Sequence, residues 1–198
     1  MTFIDEILIL LLTYLWGSIP YGYLLTKHYT GKNILEWGSG NLGSTNVKRI
    51  AGTKISIITQ LFDMLKGLLP VVLFLIFDIS TSTPYYIYML ALAAIIGHDF
   101  SLFLKFKGGK GVNTTLGASL LLAPYSVLIS VAIYFIVKWR FKYVSLGSIV
   151  LAITLPTVEF FLYQITPAFY FLLISSILII LLHRQNIIRL VKGNELKS

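Results

Sequence analysis

Cysteine is absent from this chain, so neither a disulfide framework nor thiolate chemistry is open to it. Charge is scarce too. Asp, Glu, Lys and Arg supply 12% of 198 residues, where a soluble domain carries about a quarter. Histidine occurs three times, and no grouping of His, Asp and Glu has the spacing of a metal site. No Gly-x-Ser-x-Gly elbow appears, which removes the nucleophilic serine of an α/β-hydrolase. Internal repeats and low-complexity segments are lacking. The first apolar run starts at Phe3, carries Asp5 and Glu6 without a basic leader, and ends in Trp-Gly-Ser-Ile-Pro rather than a small-residue cleavage site. It is expected to be a retained helix, not a signal peptide.

Apolar residues fill the space that charge leaves. They make up 57% of the chain, and the mean hydropathy is +0.83. Apolar runs lie near 4–25, 55–77, 85–97, 111–137, 145–163 and 168–182, and runs of this kind cross about 30 Å of hydrocarbon as helices. The expected fold is all-α: a polytopic integral membrane helical bundle in a single domain, 1–198. Of the 16 Lys and Arg residues, five fall in 27–54, three in 105–110, three in 138–142 and four in 184–197. Asp78–Pro84 and Gln164–Pro167 contain none. The positive-inside rule therefore places all four basic segments in the cytoplasm. That arrangement needs 111–137 to cross twice, turning at Ala123-Pro124. A single kinked crossing is the alternative. With the double crossing there are seven transmembrane helices, the amino terminus outside and the carboxyl terminus inside.

Glycine is concentrated where the basic residues are. GSGNLGSTNVKR, Gly38–Arg49, opens with a G-x-G-x-x-G match, and Asp63 follows at dinucleotide-fingerprint distance. Asp63 lies inside an apolar run with no β-α-β alternation around it, so the Rossmann reading fails. A Walker loop fails as well, because Gly109-Lys110 is followed by Gly111. What remains is backbone free to turn its N–H groups towards an anion. Ser39, Thr45 and Asn46 add neutral donors, and Arg49 adds a planar fork. GHDFSLFLKFKGGKGV, Gly97–Val112, repeats the pattern with Lys105, Lys107 and Lys110 around Gly108, Gly109 and Gly111. HRQNIIRLVKGNE, His183–Glu195, supplies His183, Arg184, Asn186 and Arg189, with 183 and 186 spaced for one helical face. SLGS, Ser145–Ser148, is a smaller candidate.

Basic residues beside spans ordinarily mark topology and headgroup contact alone. Glycine, serine and asparagine beside the base, three times on one side of a membrane, point to phosphate. Transport and chemistry both fit that reading. His98 and Asp99 are adjacent but lack the H-x-x-x-x-D spacing of common glycerolipid acyltransferases, since Phe103 stands five residues on. His28 reads as interfacial. Asp63 and Lys66 share a helical face, as a structural ion pair or as part of a site.

These three segments closely resemble the three motifs of the bacterial acyl-phosphate-dependent glycerol-3-phosphate acyltransferases, the PlsY family. The match covers nearly the whole chain, with SIPYGY, LFDMLKGLLP and SLGS as further signatures. It departs at Ser44 and Asn113, where alanine is usual, and at Ser101, often proline. The resemblance implies a multi-pass enzyme of the bacterial cytoplasmic membrane with its site facing the cytoplasm. That enzyme moves an acyl chain from acyl phosphate to the 1-hydroxyl of sn-glycerol 3-phosphate, releasing lysophosphatidic acid and phosphate. It also implies no cofactor and no metal. The expected partners are membrane lipid and the soluble enzyme that makes acyl phosphate, with no nucleic acid. By the same resemblance Arg49, Lys110, His183 and Asn186 hold glycerol phosphate, helped by Ser145 and Ser148. Ser39, Thr45, Asn46 and the Gly108, Gly109 and Gly111 amides serve the acyl-phosphate end, and Gly40, Asn41, Lys107 and Arg189 are further substrate-binding residues. A transporter of small phosphorylated metabolites is the competing class, though transporters place such groups at mid-membrane on symmetric repeats.

Overall fold

A computed structural model describes residues 1–197. Nine α-helices follow one another among the described residues: α1 Phe3–Ser18, α2 Tyr21–Thr30, α3 Ser44–Ile76, α4 Tyr86–Asp99, α5 Val112–Leu122, α6 Pro124–Phe141, α7 Val144–Tyr163, α8 Pro167–Leu182 and α9 Arg184–Val191. Short 3₁₀ turns occupy Ile34–Glu36 and Leu102–Leu104, and no strand occurs among the described residues. An all-α chain is what hydrocarbon requires, because a helix satisfies its backbone hydrogen bonds internally.

Five stretches are long and apolar enough to cross a membrane, or six if α8 and α9, bent by 58°, count as one. Within 111–137 the chain breaks where proline implied it: Ala123 leaves helical torsions (φ −151°, ψ 59°) and Pro124 begins α6. The first apolar run also breaks, at Ile19-Pro20, so that α2 starts anew at Tyr21. α3 carries a kink at Gly52 (φ 84°, ψ 175°).

The chain forms two compact units, one from Met1 to Ala118 and one from Ser119 onward. In the first, α1 and α4 approach closely through glycine. A Cβ at Gly17 would strike the Ala94 carbonyl, and one at Gly97 would strike that of Tyr14. Small residues at such crossings let van der Waals contact replace the hydrophobic drive that lipid does not supply. Buried Glu6 ties the Asp78–Pro84 connection to α1. Its carboxylate accepts the Ser82 amide at 2.6 Å, the Ser82 hydroxyl at 2.9 Å and the Thr83 hydroxyl, while the Tyr86 hydroxyl donates to the Glu6 carbonyl at 2.6 Å. The second unit packs α6 and α8 on α7. There buried Glu159 accepts from Ser126 at 2.7 Å and from Thr166, the N-cap of α8, at 3.4 Å.

The backbone atoms facing Gly17 and Gly97 belong to helices and cannot move aside. Gly97→Ala should therefore cost at least ~1–3 kcal/mol, the usual penalty of overpacking. Thermal unfolding in detergent should show a clear drop for Gly97→Ala, with lipid-facing Leu8→Ala as the control. An unchanged midpoint would contradict the tight α1–α4 crossing.

Candidate active site

In the first unit the Gly38–Arg49 loop is built around one side chain. Asn46 is buried at 1% exposure. Its Oδ1 accepts the Ser39 amide at 2.9 Å, and its Nδ2 donates to the carbonyls of Trp37 and Asn41, each at 3.0 Å. Gly38 takes φ +62° directly against Asn46, where a Cβ would collide with Oδ1. The expectation that Asn46 offers its amide to acyl phosphate is corrected here: both ends of the amide are committed to the loop. Asn41 likewise turns inward, its Oδ1 accepting the Gly43 amide at 2.9 Å. Ser39, Lys48 and Arg49 stay exposed and Thr45 is half-buried. The loop ends at Ser44, the first residue of α3.

The second loop, Gly108–Gly111, ends in the same way at Val112, the first residue of α5. Gly111, the residue before the helix, takes φ +72°, and Lys110 precedes it, half-buried. The first N–H groups of a helix have no intrahelical partner, and the helix dipole makes that end attractive to anions. The two helix starts meet. Asn113 Nδ2 donates to Ser44 Oγ at 3.4 Å, and Ser56 Oγ donates to the Ser44 carbonyl at 2.8 Å. Two of the three residues that depart from the family pattern thus touch each other. The amino ends that follow the two glycine loops are thus joined in this unit, with Lys110 in the second loop and Arg49 in the second turn of α3. Lys107 lies exposed beside them.

The His98 ring does not face Asp99. Its Nδ1 lies 3.3 Å from Lys66 Nζ and 3.5 Å from Asp63 Oδ1, and Lys66 and Asp63 are themselves 3.3 Å apart. The Asp63–Lys66 pair expected from spacing is present, with an imidazole as a third member. Neither Asp99 carboxylate oxygen has a hydrogen-bond partner among the described residues. A small pocket touches this cluster, lined by Ser18, Pro20, Tyr21, Leu42, Ser101, Asp63, Lys66 and His98 among others.

The second unit holds the remaining candidates. His183 closes α8 and begins α9, so it sits at the 58° bend. Its Nδ1 lies 2.8 Å from the Ile179 carbonyl. A carbonyl only accepts, so Nδ1 carries a hydrogen. Asn186 lies buried on the first turn of α9. A carboxylate gathers three of these groups. Glu195 accepts from Asn186 Nδ2 at 2.7 Å, Arg189 Nε at 2.8 Å and Ser145 Oγ at 2.9 Å. Burial works against the Glu195 charge, but the hydrogen bonds from Arg189, Asn186 and Ser145 outweigh it, and the carboxyl titrates below its usual 4.5. Ser148 donates to its own helix, at the Val144 carbonyl, 3.0 Å away. Glu195 was visible in the third motif as a residue but not as a partner. No group of three or more His, Cys, Asp and Glu that would hold a metal occurs among the described residues.

Comparison with known proteins agrees with this chemistry. The glycerol-3-phosphate acyltransferase family model matches residues 7–193. The glycerol-3-phosphate acyltransferase of Clostridium acetobutylicum is 46% identical over 193 residues, which is 96% of this chain and 98% of that protein. The enzyme of the same name from Lawsonia intracellularis is 41% identical over 195 residues, 97% of this chain and 95% of that one. Among solved structures, the integral membrane glycerol 3-phosphate acyltransferase PlsY in its glycerol 3-phosphate form superposes with a TM-score of 0.89 at 32% identity, over 98% of this chain and 96% of that one. Its lysophosphatidic acid form gives 0.86 at 31% identity, over 98% and 95%. A match this long, with relatives this similar, means that the chain belongs to the glycerol-3-phosphate acyltransferase family and is an integral membrane acyltransferase of the PlsY kind.

Proposed function

We propose that this enzyme takes its acyl chain from acyl phosphate and places it on the 1-hydroxyl of sn-glycerol 3-phosphate, at the cytoplasmic face of a bacterial inner membrane. The C1 oxygen bonds to the acyl carbon, the acyl–phosphate bond breaks, and the hydroxyl proton leaves with the phosphate. The products are lysophosphatidic acid and inorganic phosphate. The observation that carries this reading is the meeting of the α3 and α5 amino ends, each behind a glycine loop. Such a place suits the phosphoryl oxygens of a charged lipid precursor better than a neutral or cationic group. Ser39, Gly40, Asn41, Thr45 and Lys107 with the Gly108, Gly109 and Gly111 amides attend the acyl phosphate, and Asn46 shapes their loop. Arg49, Lys110, His183 and Asn186, with Ser145, Ser148 and Arg189, attend glycerol phosphate. Phosphate is already a good leaving group. The protein has mainly to align the hydroxyl and stabilise charge on the tetrahedral intermediate. No cofactor or metal is needed for such a displacement. A soluble enzyme that makes acyl phosphate is the expected donor source. The transporter reading is not favoured, since the relatives are acyltransferases throughout.

The deciding assay gives purified enzyme labelled glycerol 3-phosphate with acyl phosphate, acyl-CoA or acyl carrier protein as donor. Lysophosphatidic acid is expected from acyl phosphate only. Formation from a thioester alone would overturn the donor assignment, and uptake into sealed vesicles without esterification would restore the transporter.

Charge-assisted contacts are worth ~1.5–3 kcal/mol, so Arg49→Ala should lose at least ~10–100-fold in kcat/KM. Arg49→Lys should recover only part of that, because an ammonium lacks the bidentate fork. His183→Gln keeps a donor for the Ile179 carbonyl but cannot act as a base. A raised KM with turnover largely kept is expected. A loss of ~1,000-fold in kcat at saturating substrate would make His183 a general base instead.

All basic segments fall on one side only with seven crossings. Single cysteines at 82 and 165 are therefore expected to label from outside, and those at 32, 107, 141 and 194 only from the cytoplasm. External labelling at 141 would leave 111–137 as one kinked helix.

Glu195 contributes through a lowered folded-state pKa. Its contribution is complete above the unfolded value and disappears as pH falls through the lowered one. Glu195→Ala should lower thermal stability by ~1–3 kcal/mol at neutral pH, leaving buried Asn186 without its acceptor. The gap between wild type and variant should close only well below pH 4.5. A gap that persists at the lowest pH would show that packing, not charge, is what the side chain supplies.

A further inference from the structure

His98 and Asp99 end α4 directly under the second glycine loop. Gly109 donates its amide to the His98 carbonyl at 2.9 Å. A Cβ at Gly109 would collide with the ring edge at Nε2, and one at Gly108 would strike the carbonyls of both residues. A Cβ at Gly111 would stand 3.0 Å from each Asp99 carboxylate oxygen. The loop therefore lies on these two residues in direct contact. The opposite ring edge reaches into the interior. There Nδ1 meets Lys66 and Asp63 on α3, residues exposed by only 1% and 2%. Lys66 also lies over the Tyr21 ring, 5.1 Å from its centroid, and Tyr21 stacks on Phe62. Nδ1 thus faces both a donor, Lys66, and an acceptor, Asp63, while Nε2 faces the loop.

Buried ion pairs are poor stabilisers, and apolar residues of equal volume serve as well or better. A pair kept in an apolar helix bundle and aimed at one ring therefore asks for a use other than stability. We propose that Asp63, Lys66 and His98 form a buried brace that holds the Gly108–Gly111 loop in its phosphate-binding shape, with His98 a positioning residue and not a proton carrier. The proposal rests on the assignment of that loop and Lys110 to the phosphate-bearing substrates.

The test joins kinetics to hydrogen–deuterium exchange on the full-length enzyme in nanodiscs, for His98→Ala, His98→Asn, Lys66→Met and Gly109→Ala. Loosening the loop should speed exchange in peptides covering 105–113 by about tenfold while α7 peptides are unchanged. The KM values for both substrates should rise about tenfold, with kcat within about threefold of wild type. His98→Asn retains a polar atom near the δ position and should recover part of the loss. Gly109→Ala collides with the ring, so its defect should shrink when combined with His98→Ala. A kcat that collapses while KM and loop exchange stay at wild-type values would put His98 in the chemistry and overturn the brace. So would loop exchange that is unchanged in every variant. Where His98→Ala does not fold, the His98→Asn and Gly109→Ala enzymes carry the same two readouts. Wild-type enzyme that makes no lysophosphatidic acid from acyl phosphate would sink the donor assignment alone, because the exchange measurement still decides the brace.

Discussion

In hydrocarbon a backbone amide without a partner is costly, and that constraint decides where this enzyme keeps its chemistry. Irregular backbone is affordable only between spans. The left-handed torsions at Gly38, Gly40, Lys105, Phe106 and Gly111 all fall in the two glycine-bearing connections. Those connections deliver the chain into α3 and α5 with amide groups still unspent. The elements that would endanger a membrane helix thus lead into helix amino ends, where anions are favoured. The Ser44–Asn113 hydrogen bond then holds the two helix starts together, so the donors of one loop and the cation of the other act in one place.

Buried carboxylates follow a second rule, which is to be surrounded by donors. Glu6 gathers two hydroxyls and two amides from residues 82 and 83, and Glu159 gathers the hydroxyls of Ser126 and Thr166. Neither needs a cation. A carboxylate supplied with several neutral donors keeps its charge without the desolvation cost of a second ion. Asp63 and Asp99 depart from this rule: Asp63 sits beside a buried lysine and the His98 ring, and neither Asp99 oxygen has a hydrogen-bond partner among the described residues. That difference in surroundings separates them from the acids that merely fasten one segment to another.

Much of this was legible in sequence because it depends on local signals. Apolar runs gave the helices, Ala123-Pro124 gave the break before α6, and glycine beside lysine or arginine gave the loops that enter α3 and α5. What escaped depends on partners distant along the chain. Periodicity put Asp63 and Lys66 on one face but had no means of finding His98, 32 residues beyond Lys66. Ser44 and Asn113 looked like harmless small-for-small departures because they are 69 residues apart, and only tertiary contact joins them. Asn46 was misread for a different reason. A polar residue in a glycine loop looks like a ligand donor, whereas burial turned this one into the loop's internal support.

Glu195 bears on how the third motif works. Ser145, Asn186 and Arg189 converge on one carboxylate, so their donors already point to positions that anionic oxygens accept. A phosphate would place oxygens among the same donors with more charge. Glu195 also neutralises Arg189, whose partial exposure lets solvent screen the pair. The tail carboxylate therefore tunes how much positive potential the Ser145–Asn186–Arg189 set presents. With Glu195 ionised, attraction for a dianion falls chiefly to cations outside that trio. In this reading the glutamate orders the donors, and selectivity for a phosphate over a simple carboxylate comes from charge held elsewhere.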